Sequence, residues 1–391
     1  MIRRPPRSTL SSSSAASDVY KRQVGNNVLM VSGSDQHGTP VTIRAREENT
    51  TPKEISEKYH NIWSETFKDL DFSFDLYTKT GTENHKEVVQ KLFNLLNEKG
   101  YLQEKVSKQP YSEESEMFLS DRYIEGDCPH CPSRTKGDQC DDCSKDFEPI
   151  DLKNLISTID NSKVTFKETN HIYLKLPEFQ EDLNKWIKSK SYWKPSVKNQ
   201  SLGFLSNGLI DRAITRDIDW GVEVPLKNYE KKRIYVWFEA VIGYLSASIE
   251  WAKSDKNISN NKDIWKEWWQ NPDSKHFYFQ GKDNIPFHTI ILPSILMGSG
   301  EYNLPYDVVA NEYLNFSGKQ FSKSKNWAVW VSDFLKEYDS EALRYYLSSI
   351  MPESSDSDFT WNSFFDSNNN ELVATFGNLV NRIQTLSLIH I

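Results

Sequence analysis

The period of the hydrophobic pattern changes along this chain, and the changes mark its parts. Residues 28–31, Val-Leu-Met-Val, form an apolar, β-prone run that predicts a buried strand, and Ser32-Gly-Ser-Asp-Gln-His-Gly-Thr-Pro40 reads as the loop at its carboxyl end. In an open parallel sheet, that end is where ligands bind. Thr51-Pro-Lys-Glu54 supplies an N-cap, a first-turn proline and a capping-box glutamate, so a helix is expected to run to about residue 70. A second helix is expected over 85–99, stopping at Gly100. From 101 to 225 the pattern turns to short strands, turns and a cysteine-rich loop, which reads as an inserted domain. Strand and helix then alternate again: a strand over 233–237 leading into a helix over 240–251, a strand over 276–280 leading into a helix over 285–297, and a third strand over 307–310. No internal repeat is visible. The expected fold is α/β: a doubly wound, Rossmann-like parallel sheet split by the insertion and followed by the start of a helical domain.

The boundaries that follow are a leader at 1–23, a first sheet half at 24–100, the insertion at 101–225, a second half at 226–330, and a connecting region with the first helices of another domain at 331–391. Residues 1–23 are rich in Ser and Arg and nearly free of acids. A mitochondrial transit peptide shares that composition, but weak amphipathic periodicity and the lack of a linker favour a non-native leader. The last five residues, Ser387-Leu-Ile-His-Ile391, break a helical pattern and are set aside in the same way.

Composition narrows the class. A chain of 391 residues, 37% hydrophobic and 13% aromatic, has material for a large core in two or three domains. The longest apolar runs, such as 290–297, fall well short of the roughly 20 residues needed to cross a bilayer, so no membrane partner is expected. A net charge of -8 argues against a surface that grips nucleic acid everywhere, while leaving room for a local basic patch.

All four cysteines lie in one loop: Cys128-Pro-His-Cys131, eight intervening residues, then Cys140-Asp-Asp-Cys143. Paired thiolates at this spacing present four sulfurs tetrahedrally to zinc, and four protein ligands leave no open position, so the ion is expected to be structural. His130 is a bystander in this reading. With no cysteine left for long-range disulfides, a reducing, cytoplasmic setting is expected.

Six motifs stand in a telling order: Ser32-Gly-Ser-Asp-Gln-His-Gly-Thr-Pro40, the four-cysteine loop, Thr215-Arg-Asp-Ile-Asp-Trp-Gly-Val-Glu-Val-Pro225, Tyr235-Val-Trp-Phe-Glu-Ala-Val-Ile-Gly-Tyr244, Gly281-Lys-Asp283 with Phe287-His288, and Gln320-Phe-Ser-Lys-Ser324. Over residues 24–386 this resembles the methionyl-tRNA synthetases, a class I family. The resemblance implies a methionine–tRNA ligase, which uses ATP with Mg2+ to join L-methionine to AMP and passes it to tRNA(Met). Negative charge grows on the departing pyrophosphate, so fixed cations must meet it. By resemblance, Lys323 is that catalytic cation, and Gly281, Asp283, Tyr313, Leu314, Ser322, Lys323 and Ser324 bind ATP, with Asp283 on the ribose. Asp35, Trp237, Ala240, Tyr244, Phe287 and His288 map onto the methionine pocket, with Asp35 facing the ammonium and the aromatics around the thioether. His37 reads as a structural histidine. Asn378-Leu-Val-Asn-Arg382 resembles the entrance to the helical anticodon-binding domain.

Three positions depart from the family pattern: Gln320 where the signature loop has its first lysine, Val241 where many relatives have proline, and Leu292 where some have tryptophan. The His-x-Gly-His tetrad of class I enzymes is absent from the sequence, and with it the strand that precedes the tetrad, so the chain as written is expected to be unstable and unable to activate methionine. Leucyl, isoleucyl and valyl enzymes need a larger editing insertion than 101–225 accommodates, and the cysteinyl enzyme has no use for this loop. A non-enzymatic zinc-loop RNA-binding protein, or a degenerate synthetase-like regulator, is the alternative from another class.

Overall fold

The computed structural model describes residues 17–120, 123–136, 140, 143, 147, 149–322 and 327–389. Residues 17–23, set aside above with the leader, are helical, and Arg22 of this turn pairs with Asp18 at 2.7 Å and with Asp75 at 2.6 Å.

The first half is a βαβ unit. Strand β1 (Val31–Ser34) leads through α1 (Thr39–Glu47) and α2 (Pro52–Asp69) to β2 (Leu76–Lys79), which pairs with it in parallel from Val31↔Leu76 to Ser34↔Lys79. The strand lies three residues later than the apolar run predicts, because pairing with β2 rather than apolarity decides which residues extend. Gly33 is required here: a Cβ would stand 2.8 Å from the Thr78 carbonyl oxygen. The capping box of α2 forms as its sequence dictates, with Glu54 N donating to Thr51 Oγ1 at 3.2 Å and Thr51 N donating to Glu54 Oε2 at 3.0 Å. Helix α3 (Glu83–Glu98) follows, and Gly100, at φ +79°, takes the left-handed conformation just beyond its end.

The insertion is built on a long antiparallel ladder. Strand β3 (Leu102–Ser112) pairs over its whole length with a strand further along the chain, Val164–Leu174, from Leu102↔Leu174 to Ser112↔Val164. Between these partners the chain forms β4 (Met117–Phe118), β5 (Ile124–Asp127), β6 (Arg134–Lys136) and β7 (Lys153–Ser157), so that the Val164–Leu174 strand is β8. Strands β6, β5 and β7 make a small antiparallel sheet, and Leu119, Tyr123, Ile124, Leu152 and Val164 form its own core. Helices α4 (Gln180–Ser189) and α5 (Pro195–Ser206), then β9 (Arg212–Ala213) against β8, return the chain to the body.

A strand is expected over 233–237, but only β11 (Arg233–Ile234) extends, antiparallel to β10 (Thr215–Arg216), and α6 (Val236–Glu239) is already helical. Tyr235 N still donates across to the Ile214 carbonyl at 2.8 Å, but the Tyr235 carbonyl accepts from Glu239 N at 3.2 Å, so the helix begins there. Five residues, the first of them Arg233, are too few for periodicity to separate strand from helix. Helix α7 (Gly243–Lys253), α8 (Trp265–Trp269), β12 (Phe277–Gly281), α9 (Leu292–Ser299) and β13 (Asp307–Asn311) complete the second half, and β12 pairs with β13 in parallel. One wide turn, Phe287–Ile291, precedes α9. The main core joins both halves: Val89, Leu92, Phe93 and Leu96 of α3 belong to one buried cluster with Leu245 of α7 and Ile295 and Leu296 of α9.

The sequence predicts a doubly wound sheet without the strand that precedes the tetrad; among the described residues the parallel strands of its two halves form separate pairs, β1–β2 and β12–β13. A cavity of about 1070 Å³ lies between them, lined by Met30 to Gly33 on one side and Phe277 to Gln280 on the other. Beyond β13 come β14 (Leu314–Phe316), β15 (Lys319–Gln320), α10 (Val331–Phe334), α11 (Ser340–Ser349), β16 (Ser357–Phe359) and α12 (Trp361–Asp366). They share a second core around Leu343, Tyr346, Phe359 and Phe364. Helical turns then continue from α12 through a wide-turn segment, Ser367–Gly377, into α13 (Asn378–Ile389).

Candidate functional site: a cavity between the strand pairs and a four-cysteine knuckle

All six residues expected to hold an amino acid line the one cavity. Asp35 sits on the loop after β1, Trp237 on α6 with Ala240 just after it, Tyr244 in the first turn of α7, and Phe287 and His288 in the wide turn before α9. Trp237 and Phe287 meet edge-on with ring centroids 4.8 Å apart, and Tyr278 packs edge-on against Tyr244 at 5.0 Å. These rings give a thioether both dispersion partners and ring edges.

His288 is fixed at both nitrogens. Its Nδ1–H donates to the Asn284 carbonyl at 3.0 Å, and its Nε2 accepts from the Tyr244 hydroxyl at 2.8 Å. Burial pushes its pKa down to about 4, against the opposite pull of the Asn284 carbonyl, so the ring is neutral and the wall it forms is polar but uncharged. Val241 and Leu292, the two departures from the family pattern, are both buried.

The residues expected at the nucleotide lie outside this cavity, beyond the carboxyl ends of β12 and β13. Gly281 ends β12, Asp283 is exposed, and the Tyr313 hydroxyl donates to Asp283 Oδ1 at 2.9 Å. Leu314 is buried at the start of β14. Ser322 bridges to Trp327, its N–H donating to the Trp327 carbonyl at 2.9 Å. Lys323 and Ser324 lie outside the described residues.

A third arrangement went unassigned in the sequence. Glu239, at the end of α6, is fully buried, with Oε1 accepting from His37 Nδ1 at 2.9 Å and Oε2 accepting from His85 Nε2 at 2.5 Å. Burial alone would raise the Glu239 carboxyl; the two histidines reverse that and lower it to about 2, so it stays charged. Burial likewise disfavours charge on His37, but the Glu239 carboxylate outweighs it and raises the pKa. An acidic residue inside the apolar run 236–242 was the available signal, since a lone charge there must find partners.

In the insertion, the four sulfurs all lie within 4.8 Å of one another. Cys128 Sγ is 3.8 Å from Cys143 Sγ and Cys131 Sγ is 3.6 Å from Cys140 Sγ, distances that exclude disulfides. Four sulfurs at a Zn–S distance of about 2.3 Å in a tetrahedron are separated by about 3.8 Å, so the donor set fits an ion of that kind. The His130 backbone N–H donates to Cys128 Sγ at 3.4 Å, and the group of candidate metal ligands is the four cysteines without His130.

Parallel strand pairs with ligand-type residues at their carboxyl ends, split by an inserted cysteine knuckle, define a class I aminoacyl-tRNA synthetase fold. A Mycobacterium tuberculosis methionyl-tRNA synthetase bound by methionyl-adenylate superposes with a TM-score of 0.74 at 21% identity, covering 97% of this chain and 68% of that one. The sequence profile described as tRNA synthetases class I (M) matches residues 13–384, and the chain belongs to that family. Methionine–tRNA ligase of Dehalococcoides mccartyi (strain 195) is 51% identical over 368 residues, covering 94% of this chain and 66% of the relative. The enzyme of the same name from Thermomicrobium roseum is 48% identical, covering 94% of this chain and 62% of the relative. The chain thus spans just under two thirds of the length of these relatives.

Proposed function

We propose that this chain carries the methionine pocket of a methionine–tRNA ligase, an enzyme that binds L-methionine and ATP, forms methionyl-adenylate and transfers methionine to tRNA(Met); without the His-x-Gly-His tetrad, this sequence is expected to bind methionine but not to activate it by itself. The observation that carries the proposal is the convergence of Asp35, Trp237, Ala240, Tyr244, Phe287 and His288 on one cavity from three separate segments of the chain. In this reading β1–β2 and β12–β13 are the halves of one doubly wound sheet, and the cavity lies at its switch point.

Asp35 takes the substrate ammonium in a charge-assisted contact, and Trp237, Phe287 and Tyr244 close on the thioether. Neutral His288, held by Tyr244 and Asn284, gives the side-chain end of the pocket a hydrogen-bonding wall without a charge that would have to be desolvated. Asp283 accepts from the ribose once Tyr313 yields it, Gly281 and the backbone at Tyr313 and Leu314 flank the adenine, Lys323 neutralises pyrophosphate, and Ser322 and Ser324 donate hydrogen bonds to the phosphates, which Mg2+ would accompany. The four cysteines hold a structural Zn2+, and their reduced state fits a cytoplasmic setting. Among the described residues no helix is long and apolar enough to cross a membrane.

Calorimetric titration with each of the standard amino acids tests the assignment. Methionine is expected to bind best, and Asp35→Asn to weaken it about tenfold or more, the share of one charge-assisted contact. Preference for another amino acid, or no binding of methionine, refutes the pocket.

A further inference from the structure

The methionine chemistry makes no use of Glu239, yet this carboxylate is the most enclosed charge near the site. It stands at 0% exposure with His85 at 1%, and it ties three elements together: the loop after β1 through His37, α3 through His85, and α6, where it resides beside Trp237 and Ala240. The chain of contacts goes on, with His85 Nδ1 lying 2.8 Å from Ser246 Oγ on α7, two residues beyond Tyr244. A buried ion pair is a weak source of stability, since apolar residues of the same volume often do as well or better, so its presence calls for a positional reason.

The His37 end supplies one. The backbone N–H of His37 donates to Asp35 Oδ1 at 3.3 Å, so the orientation of residue 37 bears on the carboxylate two positions earlier. The loop backbone between them is anchored separately: Gln36 N donates to Thr80 Oγ1 at 2.9 Å, and Trp220 Nε1 donates to the Gln36 carbonyl at 2.7 Å while its ring meets His37 edge-on at 5.5 Å. These contacts fix where the loop runs, and Glu239 fixes which way residue 37 faces.

We propose that Glu239 is a positioning residue for substrate-ammonium recognition: by gripping His37 it aims Asp35 into the cavity, while His85 holds the carboxylate in place for that task. The inference rests on the methionine reading of the cavity and adds a residue to it. A carboxylate acting through Asp35 affects only ligands that carry the ammonium. A carboxylate that merely stabilises the fold affects all ligands of the cavity alike.

Two ligands separate these roles: L-methionine, and 4-(methylthio)butanoate, which has the same side chain and carboxylate but no amino group. Glu239→Gln keeps the volume and loses the charge. It is expected to weaken methionine about tenfold while leaving the desamino analogue unchanged. In a double-mutant cycle, Glu239→Gln added to Asp35→Asn is expected to cost methionine nothing further, because both act through one contact. Equal losses for both ligands, full additivity in the cycle, or no loss of methionine affinity each overturn the positioning role. Where Glu239→Gln lowers the folded fraction, His37→Asn, which leaves the Glu239–His85 contact in place, carries the same expectations. The unaltered chain tests the underlying reading separately: failure to prefer methionine over its desamino analogue refutes the ammonium site itself.

Discussion

Acidification is expected to destabilise this chain through His288, and the size of the effect can be worked out. In the folded state the ring is 5% exposed and neutral, with Nε2 already taken by the Tyr244 hydroxyl and Nδ1–H by the Asn284 carbonyl. Its pKa is about 4, against 6.5 for a free imidazole. Above pH 6.5 neither state binds the proton and His288 contributes nothing to pH dependence. Below it the unfolded chain binds a proton that the folded chain refuses, so stability falls progressively until the pH reaches the folded value near 4. At about pH 5 the gap is roughly 1.5 pH units, worth about 2 kcal/mol at 1.36 kcal/mol per unit. His37 works in the other direction: its raised pKa gives stability that is fully present below 6.5 and lost as the pH rises through the folded value. A single pH curve therefore mixes the two. Urea denaturation of the unaltered chain and of His288→Gln, each near neutrality and at about pH 5, isolates the His288 part as a difference of differences of about 2 kcal/mol. Identical pH slopes for the two proteins, or an NMR titration that places His288 near 6.5, would refute the argument that burial holds this ring neutral.

Three further outcomes follow from local geometry. Gly298→Ala would put a Cβ 2.5 Å from Leu96 Cδ2 and 3.1 Å from the Phe179 ring, and since Leu96 is fully buried the overpacking cost of about 1–3 kcal/mol exceeds the helix-propensity gain of about 1 kcal/mol, lowering the thermal midpoint. Thr51→Ala removes half of the α2 capping box and is expected to cost about 1 kcal/mol in chemical denaturation. Metal analysis of purified protein is expected to find about one zinc per chain. Cys143→Ser is expected to reduce that content, and chelation to raise hydrogen exchange in the module around Ile124 and Leu152 while leaving α3 protected.

What the sequence made legible was local. Thr51, Pro52 and Glu54 sit within one turn and interact with one another, so their helix start needs no knowledge of the rest of the chain. Gly100 likewise announces the end of α3, and the cysteine spacing anticipates the cluster of four sulfurs. Pairing across the fold was less legible. Residues 28–31 are the more apolar stretch, yet β1 falls at Val31–Ser34 because its partner strand sets the register. The Glu239 contacts join residues 202 and 154 positions apart, and nothing in the run 236–242 says which basic groups meet it. The pocket residues were found through ordered motifs rather than periodicity: Trp237, Tyr244 and Phe287 look like ordinary core aromatics until the fold turns them toward one cavity.

The β3–β8 ladder has a mechanical consequence. Eleven paired rungs make a stiff strut of about 37 Å, with Leu102 and Leu174 rooted in the main core and the cysteine module carried at the Ser112 and Val164 end. A strut held only at its root would swing as a cantilever. This one is braced: the Tyr123 hydroxyl lies 2.6 Å from Thr42 Oγ1, Ser120 Oγ lies 3.1 Å from Thr39 Oγ1, and Ile43 packs against the module's core. All three anchor residues belong to α1, the helix that begins four residues after Asp35. Strut, module and helix close a triangle with the body of the protein, so a swing of the module must either break those hydroxyl contacts or carry α1, and the carboxylate loop before it, along with it.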